Sequence, residues 1–441
     1  MSPKLAAFFT IFLILYLFWI DRKNNEGFSK AIWIPFIWLF FSRSRNISEW
    51  LNLQTPDISA GSAAALEGNP LNTTVYGILL FAGILILLKK KVDWHTLFIK
   101  NGWIWLYFAF GALSFAWSDY PYVSFKRWIK ALSLVVMVVI ILMESRPYIA
   151  IGVLLKRLAF ILLPLSVLFI KYYPELGRTY HMGTPMFTGI ASQKNGLGAL
   201  CLISGIYFSW NLLYGHGNKN EPSQSLHYSI YLIMIPMIAW LFYMADSSTS
   251  LACMVFALGL FVIAKHPVFK QTPHKIMYFL VAGVVLFGML ELAFGIKDTL
   301  FVLLDRRPDL TNRTYLWEEY LSLVRDPIIG YGYEIFYSTA LKQNMLQDFH
   351  PAHNGYLEMY LNLGIIGIIF VLGWISTGLI KIWQYLVIDY AAAILRLAFI
   401  GVTILYSWTE VTFSGTNIFW MLLFVAVMSM PGRGGSAANE M

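Results

Sequence analysis

Repeated apolar segments of membrane-spanning length constrain the fold of this chain more than any other feature of its sequence. A helix needs about 20 mostly apolar residues to cross a hydrocarbon core of about 30 Å. Segments of that length, or nearly so, fall at residues 4–20, 28–42, 71–88, 100–117, 124–143, 149–171, 192–214, 228–244, 249–264, 276–295, 355–380, 391–409 and 416–430. The sequence therefore predicts an all-α polytopic membrane protein with about 12 (12–13) transmembrane helices.

The composition supports this class and a single domain. Hydrophobic residues make up 58% of the chain and charged residues only 13%, compared with about 25% charged residues in soluble domains. No long hydrophilic stretch divides the apolar segments, so we expect one membrane domain over residues 1–441. Segment 28–42 is short and contains Pro35. If it is re-entrant or interfacial, twelve full spans remain and both termini lie on one side.

The lysine-rich connections set the orientation of the bundle. Lys89-Lys90-Lys91 and residues 265–275 lie between apolar segments, and short basic loops favour the cytoplasmic side. This orientation puts the long loop 296–354 on the outer side. Within it, residues 314–324 have apolar positions at helical spacing. We therefore expect a small helical cap over the outer end of the bundle.

The basic balance of the chain does not indicate nucleic acid as a partner. The net charge is +8, but the basic residues are scattered over short loops between apolar segments. Membrane topology and anionic lipids explain such a distribution better. Cys201 and Cys253 both lie inside apolar segments, so we interpret them as packing residues rather than as a disulfide.

Several basic residues lie at the outer ends of spans in this orientation, against the usual bias. They are Lys126, Arg127, Lys130, Arg178 and Lys194. Lys126 and Lys130 are four residues apart and share a helical face. Guanidinium groups bind phosphate oxygens in pairs and lysines act as point charges, so the set favours binding of a pyrophosphate. The alternative is that each side chain snorkels to the lipid headgroups.

A His-Asn pair opens directly into the apolar segment that begins at residue 355. Asn354 suits the N-cap of a helix, which explains it without chemistry, although it could also contact a glycan. His353 follows Pro351 and a second histidine, His350. Both the helix N-terminus and nearby arginines favour a neutral imidazole. His353 is therefore our candidate for a general base that accepts a proton from a sugar hydroxyl.

Weaker candidates surround this pair. Tyr331 and Tyr333 form a Gly-Tyr-Gly-Tyr turn, which suits either an aromatic wall for sugar rings or packing of the cap. Glu410 lies in an outer turn and suits a sugar contact or an ion pair with a basic residue. The acidic residues form no Asp-x-Asp cluster and no His/Cys spacing suits zinc. We therefore expect no metal, and fixed cations would have to stabilise a leaving pyrophosphate.

The chain resembles the O-antigen ligase and Wzy-type polysaccharide polymerase superfamily. The resemblance is carried first by His353-Asn354, which is followed after nine residues by Gly364 and after two more by Gly367. Five segments precede this motif in the order typical of the family: Arg178, residues 188–197, the Ser-x-Thr-Ser turn near 248–250, residues 312–317 and Gly330-Tyr331-Gly332. Residues 33–51 and 116–127 look most like the ExoQ type of exopolysaccharide polymerase. One departure is Thr249 or Ser250, where many ligases have an arginine. Lys194, Arg178 or Lys126 would then supply that charge.

The resemblance implies a GT-C-like helical fold and transfer of a glycan from undecaprenyl pyrophosphate at the periplasmic face of the bacterial inner membrane, without metal, nucleotide or other cofactor. It implies His353 as the activating base and Arg313 as a ligand of the donor pyrophosphate. The front section favours an inverting polymerase that extends a second lipid-linked glycan. The alternatives are a ligase that uses lipid A core as acceptor and, more distantly, a transporter or flippase of the lipid-linked glycan. A transporter would place charges near the membrane midplane, where only Arg396 and Glu291 come close.

Overall fold

The computed structural model describes residues 1–23, 28–51, 69–181, 183–215, 224–295, 313–343, 345–346 and 351–429. Its helices are α1 (Pro3–Lys23), α2 (Trp33–Arg43), α3 (Ile47–Trp50), α4 (Pro70–Lys89), α5 (Trp94–Lys100), α6 (Gly102–Leu113), α7 (Pro121–Leu142), α8 (Pro147–Tyr172), α9 (Pro174–Gly177), α10 (Lys194–Tyr214), α11 (Gln224–Ala245), α12 (Ser248–Ala264), α13 (Pro267–Gln271), α14 (Lys275–Phe294), α15 (Arg313–Ser322), α16 (Phe336–Lys342), α17 (Gly355–Tyr385), α18 (Tyr390–Ser407) and α19 (Ile418–Val427). Each of the thirteen predicted apolar segments overlaps one of these helices.

The structure confirms an all-α polytopic membrane protein. In the described ranges, eight helices are long and apolar enough to cross a membrane, and the shorter apolar helices are Gly102–Ala116, Ser248–Ala264 and Ile418–Val427. Helix α7 carries Lys126, Arg127 and Lys130 near its start but is apolar from Ala131 onward. Local sequence starts many of these helices, since proline occupies the first turn of α4, α7 and α8, where its missing N–H costs no hydrogen bond.

Polar contacts gather at two opposite ends of the bundle. We call the end that contains His353 the His353 end and the opposite one, which contains Glu144, the Glu144 end. At the Glu144 end, the Glu144 carboxylate accepts hydrogen bonds from Lys90 Nζ (3.0 Å) and from the main-chain N–H of Ser29 (3.1 Å). These bonds join the start of the segment that leads into α2 to the connections that follow α4 and α7.

Helix α2 runs from the Glu144 end to the His353 end. Ser29, before the helix, contacts Glu144. Arg45, just after the helix, donates a hydrogen bond to the main-chain oxygen of Leu176 in α9. In the middle, Trp38 Nε1 donates to Ser133 Oγ of α7 at 3.0 Å. Segment 28–42 therefore lies between the two ends of the bundle, although its helix of 11 residues is not among the eight that are long and apolar enough to cross a membrane.

The helix that follows His353 is interrupted at Gly364, where φ is +61° and ψ is −158°. Residues 327–332 fill the interruption: the N–H of Gly332 donates to Asn362 O at 2.8 Å, and the N–H of Ile365 donates to Pro327 O at 2.9 Å. A Cβ atom on Gly364 would lie 2.2 Å from Ile328 O. Gly364 thus permits a close approach between two backbone segments of the protein.

Short elements cover the His353 end. Helices α15 and α16 lie within the predicted outer loop and share a hydrophobic cluster that includes Tyr320, Phe336 and Leu361. Residues 296–312 and His350, which belong to the same predicted cap, lie outside the described residues. A β-hairpin that the sequence did not predict, β1 (Arg178–His181) and β2 (Thr184–Phe187), follows α9.

Candidate functional site

The carboxylate of Glu410 is the meeting point of four segments at the His353 end. Its Oε2 atom lies 3.3 Å from His353 Nδ1, and its Oε1 atom lies 3.6 Å from Arg313 Nη2. Asn195 Nδ2, from the first turn of α10, donates to the same Oε1 at 2.7 Å. Glu410 itself follows the end of α18. The structure therefore brings three sequence-predicted residues together and adds Asn195, which the sequence named only within the family likeness of residues 188–197.

His353 faces this carboxylate through one ring nitrogen. A carboxylate only accepts hydrogen bonds, so Nδ1 carries the proton in the pair and Nε2 is left as the basic nitrogen. The His353 side chain is 30% exposed and Glu410 is 14% exposed. His353 also adopts a positive φ of +48°, which is costly for a residue with a side chain and is typical of functional sites.

The main-chain N–H and oxygen of Ala352, the residue before His353, are both hydrogen-bonded to side chains of the cap. The N–H of Ala352 donates to the hydroxyl of Tyr337 at 2.7 Å, and Ala352 O accepts a hydrogen bond from Trp317 Nε1 at 2.7 Å. The Tyr337 hydroxyl in turn donates to the carboxylate of Glu358. Burial, with Glu358 nearby, raises the pKa of Tyr337 above its ordinary value. These contacts fix the main chain that carries His353.

Arg313 begins α15 and spans the gap between the cap and the bundle. Its Nη1 donates to the main-chain oxygen of Thr409, while Nη2 approaches Glu410. Thr409 Oγ1 lies 2.6 Å from Thr249 Oγ1. The polar turn before α12 therefore adjoins the Glu410 site. In that turn, Asp246 Oδ2 lies 3.8 Å from Nζ of Lys194 in α10. Lys194 and Arg313 thus both have a carboxylate partner.

A second polar group lies beside the first, around Arg43 at the end of α2. Its electrostatic neighbours are the hydroxyls of Tyr76 and Tyr406, and Lys130 Nζ lies 5.2 Å from the centre of the Tyr76 ring. Arg127 donates to the main-chain oxygen of Glu334. We refer to Arg43, Tyr76, Arg127, Lys130 and Glu334 as the Arg43 pocket. The sequence named Arg43 only within the family likeness of residues 33–51 and gave it no role of its own.

Glu334 supplies the negative charge of the Arg43 pocket. Its Oε1 atom accepts a hydrogen bond from the N–H of Gly415 at 2.7 Å. Burial raises the pKa of the Glu334 carboxyl above its ordinary value, while the Gly415 N–H and the charges of Arg127 and Lys130 act in the opposite direction. Glu334 therefore links the cations of the pocket to the loop after Glu410.

Tyr406 joins the two groups. Its hydroxyl donates to Asn195 O at 3.3 Å and is hydrogen-bonded to the side chain of Ser250. Asn195 contacts Glu410, and Tyr406 interacts electrostatically with both Glu410 and Arg43. The Glu410 site and the Arg43 pocket are therefore parts of one polar region at the His353 end.

Other predicted site residues have structural contacts of their own. Arg178 donates from Nε (3.1 Å) and Nη2 (2.7 Å) to Ile170 O, which ties the hairpin to α8. Lys126 Nζ lies 5.0 Å from the centre of the Tyr122 ring. Asn354 Oδ1 accepts from the N–H groups of Tyr356 and Leu357 and caps α17. Of these contacts, only the N-cap formed by Asn354 corresponds to a structural alternative that the sequence offered.

The two tyrosines of the Gly-Tyr-Gly-Tyr turn do not form a sugar-binding wall in this structure. Tyr331 and Tyr333 are each 1% exposed. The Tyr331 hydroxyl donates to Leu323 O, and the Tyr333 hydroxyl lies 3.2 Å from that of Tyr107 in α6. Both pack the loop against the bundle, because the backbone pairing with residues 361–366 draws the turn inward.

The fold and this polar region define a polytopic membrane protein with a histidine–carboxylate site at one end of its bundle. Within the described part of the chain, no group of three or more His, Cys, Asp or Glu residues is arranged to hold a metal ion. Residues 231–372 match the family model described as O-antigen ligase. This match confirms the resemblance to the O-antigen ligase and Wzy superfamily. Neither the curated proteins nor the solved structures contain a match.

The family is one of membrane ligases and polymerases, which are enzymes that act on lipid-linked glycans and acceptors in general. The matched range begins within α11 and ends within α17. It contains Arg313, His353 and Thr249 but stops before Glu410, and Arg43 also lies outside it. The family match and the contacts around Glu410 are therefore separate observations on the same region.

Proposed function

We propose that the protein is a metal-independent, inverting glycosyltransferase that moves a glycan from undecaprenyl pyrophosphate to a sugar hydroxyl of the acceptor. The single observation that supports this most is the Glu410 carboxylate between His353 and Arg313. That arrangement places a candidate base, His353, and an arginine, a residue type that binds phosphate, in one partly exposed site. The family match at residues 231–372 supports the same class of substrates.

His353 Nε2 is the proposed base. Its partner Glu410 holds the ring through Nδ1 and stabilises the imidazolium that forms when Nε2 takes a proton, as a carboxylate does in other histidine-based sites. Asn195 and Arg313 in turn hold the carboxylate. Glu410 therefore acts as a positioning residue in this proposal. Its other predicted role, a direct contact with the sugar, has less support.

The proposed step is a single displacement. The acceptor hydroxyl gives its proton to His353 Nε2 as its oxygen forms a bond to the anomeric carbon of the donor. The bond between that carbon and the pyrophosphate oxygen breaks at the same time, and undecaprenyl pyrophosphate leaves with the electron pair. Attack from the opposite face inverts the configuration. Nearby cations stabilise the additional negative charge on the leaving pyrophosphate.

We favour a polymerase, in which the acceptor is a second lipid-linked glycan, and we propose that the His353 end faces the periplasm from the bacterial inner membrane. The likeness of residues 33–51 and 116–127 to the ExoQ type supports a polymerase. A ligase that uses lipid A core remains the main alternative. A transporter is less supported, since Arg396 is 2% exposed and donates to Ala426 O at 2.8 Å, as a structural residue does.

Reconstitution tests this proposal. Purified protein is supplied with a short glycan on undecaprenyl pyrophosphate, alone or with lipid A core, and the products are separated by size. A polymerase forms longer lipid-linked glycans from the donor alone, whereas an obligate ligase forms product only with the core. Replacing His353 with Ala is expected to reduce turnover about 100- to 10,000-fold, which is the usual contribution of a general base. Normal turnover by a folded His353→Ala variant would remove the base assignment.

A further inference from the structure

Asp246 presents an exposed carboxylate in the polar turn between α11 and α12. Its side chain is 67% exposed, whereas that of Glu410 is 14% exposed. Asp246 has a positive φ of +44°, and the other non-glycine residues with positive φ in the described part of the chain are Glu334 and His353, at the same end of the bundle. Such backbone conformations cluster at functional sites. Because its carboxylate is exposed, Asp246 is accessible to a substrate that reaches the His353 end.

Lys194, in the first turn of α10, supplies a cation beside this carboxylate. Its Nζ atom lies 3.8 Å from Asp246 Oδ2, and its side chain is 34% exposed. This separation is longer than the about 2.7–2.9 Å of a close charge-assisted hydrogen bond, and an exposed ion pair contributes little to stability. A carboxylate can accept about four hydrogen bonds and an ammonium can donate about three. The Asp246–Lys194 pair can therefore bind polar groups of an external ligand.

Close packing of α10 on α12 fixes the position of the pair. A Cβ atom on Gly198 in α10 would lie 2.7 Å from both Cβ of Ser247 and Oγ of Ser250. The hydroxyl of Ser247 in turn donates to that of Ser250 at 3.0 Å. These contacts hold the starts of the two helices together. The pair is therefore preformed, and a preformed site loses less conformational entropy when its ligand binds.

Two separate contacts place the pair beside the Glu410 site. Asn195, the residue after Lys194, donates to Glu410 Oε1 at 2.7 Å. Thr249, which lies three residues after Asp246, has its hydroxyl 2.6 Å from the hydroxyl of the residue before Glu410. A ligand that binds the pair therefore lies next to the carboxylate that orients the proposed base.

The charge of the pair suits a ligand that is rich in hydroxyl groups. One carboxylate and one ammonium sum to zero, so the pair offers no net charge to balance a pyrophosphate. Sugar hydroxyls both donate and accept hydrogen bonds, as other hydroxyls do. The carboxylate can accept from neighbouring hydroxyls while the ammonium donates to their oxygens, and such charge-assisted hydrogen bonds are stronger than neutral ones.

We propose that Asp246 and Lys194 form a subsite for the acceptor glycan, in which they bind hydroxyl groups of the sugar chain that receives the transferred glycan. This inference rests on the proposed function and identifies the residues that recognise its acceptor. One acceptor hydroxyl reaches His353 Nε2, and the pair binds other hydroxyls of the same glycan. Lys194 thus has a role different from the pyrophosphate ligand that the sequence favoured.

Replacing Asp246 with Asn separates this role from phosphate binding. Asn keeps the size of the side chain and tolerates a positive φ, while the change leaves the charge of Lys194 unbalanced. If Lys194 binds the donor phosphates, the lost negative charge tightens donor binding. An acceptor subsite instead predicts weaker binding of the acceptor and unchanged binding of the donor.

The experiment measures acceptor and donor binding separately, with the full-length protein in a detergent that has no sugar group. The acceptor probe is the oligosaccharide released by mild acid from the lipid-linked donor, because without pyrophosphate it can only accept. Undecaprenyl pyrophosphate is the donor probe. Asp246→Asn and Lys194→Gln are each expected to raise the Kd for the oligosaccharide about 10- to 100-fold and to leave the Kd for undecaprenyl pyrophosphate unchanged. In transfer assays they are expected to raise KM for the oligosaccharide at an unchanged kcat.

Asp119→Asn is the matched control. Asp119 lies at the same end of the bundle, just before α7, and its carboxylate is 3.3 Å from Arg325 Nη1 in another exposed ion pair. This variant is expected to bind both probes with the wild-type Kd. Thermal unfolding in detergent checks that the Asp246 and Lys194 variants remain folded, and we expect a Tm equal to that of the wild type because both side chains are partly or largely exposed.

Binding and turnover separate this inference from the proposed function. If the wild type binds the oligosaccharide in an Asp246-dependent manner but transfers no glycan, the subsite stands and the enzymatic proposal falls. If the wild type transfers glycan while Asp246→Asn and Lys194→Gln bind the oligosaccharide with the wild-type Kd, the subsite is overturned. Tighter binding of undecaprenyl pyrophosphate to Asp246→Asn, with an unchanged Kd for the oligosaccharide, overturns it equally and assigns Lys194 to phosphate binding.

Discussion

His353 Nδ1 lies 3.3 Å from Oε2 of Glu410, although 57 positions of sequence separate the two residues. The pair joins the start of α17 to the loop after α18. Arg313 and Asn195 contact the other carboxylate oxygen, so Glu410 has little freedom to turn away from His353. The segments that connect the helices therefore hold His353 in its orientation.

Replacing Glu410 with Gln tests this positioning role. The amide keeps the size of the side chain but removes the charge that stabilises a protonated His353. We expect kcat to fall about 10- to 1000-fold, less than in His353→Ala, with a small change in KM. Steady-state glycan transfer measures both. Glu410→Asp, which retains the charge, should recover part of the loss. A wild-type kcat in Glu410→Gln would show that His353 does not depend on this carboxylate.

Replacing Tyr337 with Phe tests the contacts that hold Ala352 before His353. The change removes the hydroxyl that accepts from the Ala352 N–H and donates to Glu358. The loss of these buried hydrogen bonds is expected to cost about 1–3 kcal/mol of stability and to lower kcat through a less ordered His353. Thermal unfolding in detergent and turnover measure the two effects. Tyr315→Phe is the matched control, because Tyr315 is 73% exposed. Equal Tm and kcat in both variants would contradict the role of Tyr337.

The helices were predictable from the sequence and most of the site contacts were not. Hydropathy is a local property, so the predicted segments 71–88 and 276–295 correspond closely to Pro70–Lys89 and Lys275–Phe294. His353, Arg313 and Glu410 were each identified by type and position. Their mutual contact depends on loops that meet only in the folded bundle, and no local pattern contains that information.

Other side chains show the same physical limit of the sequence. Tyr331 and Tyr333 have the composition of a sugar-binding wall, but the pairing of their turn with the break at Gly364 buries them. Arg43 ends a short helix that is far in sequence from every partner in its pocket. Burial and long-range contact decide the role of a side chain, and neither is readable from spacing alone.

Replacing Gly364 with Ala tests the break in α17. At φ +61° a side chain is strained, and the Cβ would lie 2.2 Å from Ile328 O. We expect a loss of stability of about 2 kcal/mol or more, seen as a lower Tm in detergent. Gly283→Ala in α14 is the control, since no atom lies within 4 Å of its Cβ position and alanine favours a helix. A Tm for Gly364→Ala equal to that of the control would mean that residues 327–332 do not constrain the break.

Glu144 predicts how stability responds to acid. Burial acts to raise the pKa of its carboxyl, but hydrogen bonds from Ser29 and Lys90 outweigh burial and lower the pKa below its ordinary value. A carboxyl with a lowered pKa stabilises the fold when it is ionised, so this contribution is present above its unfolded pKa of about 4.3. It is lost as pH falls through the lower pKa of the folded protein.

Glu144→Gln is therefore expected to lower the Tm at pH 7 and to have a diminishing effect below about pH 4. At neutral pH the variant loses charge-assisted hydrogen bonds to Lys90 and Ser29, which contribute roughly 1–3 kcal/mol each when buried. Thermal unfolding of both proteins in detergent from pH 7 down to the lowest pH they tolerate measures the difference. Glu49→Gln is a control, because Glu49 contacts Asn46 at an exposed position. A Tm difference for Glu144→Gln that stays constant as pH falls would contradict the ionised state that the contacts with Lys90 and Ser29 require.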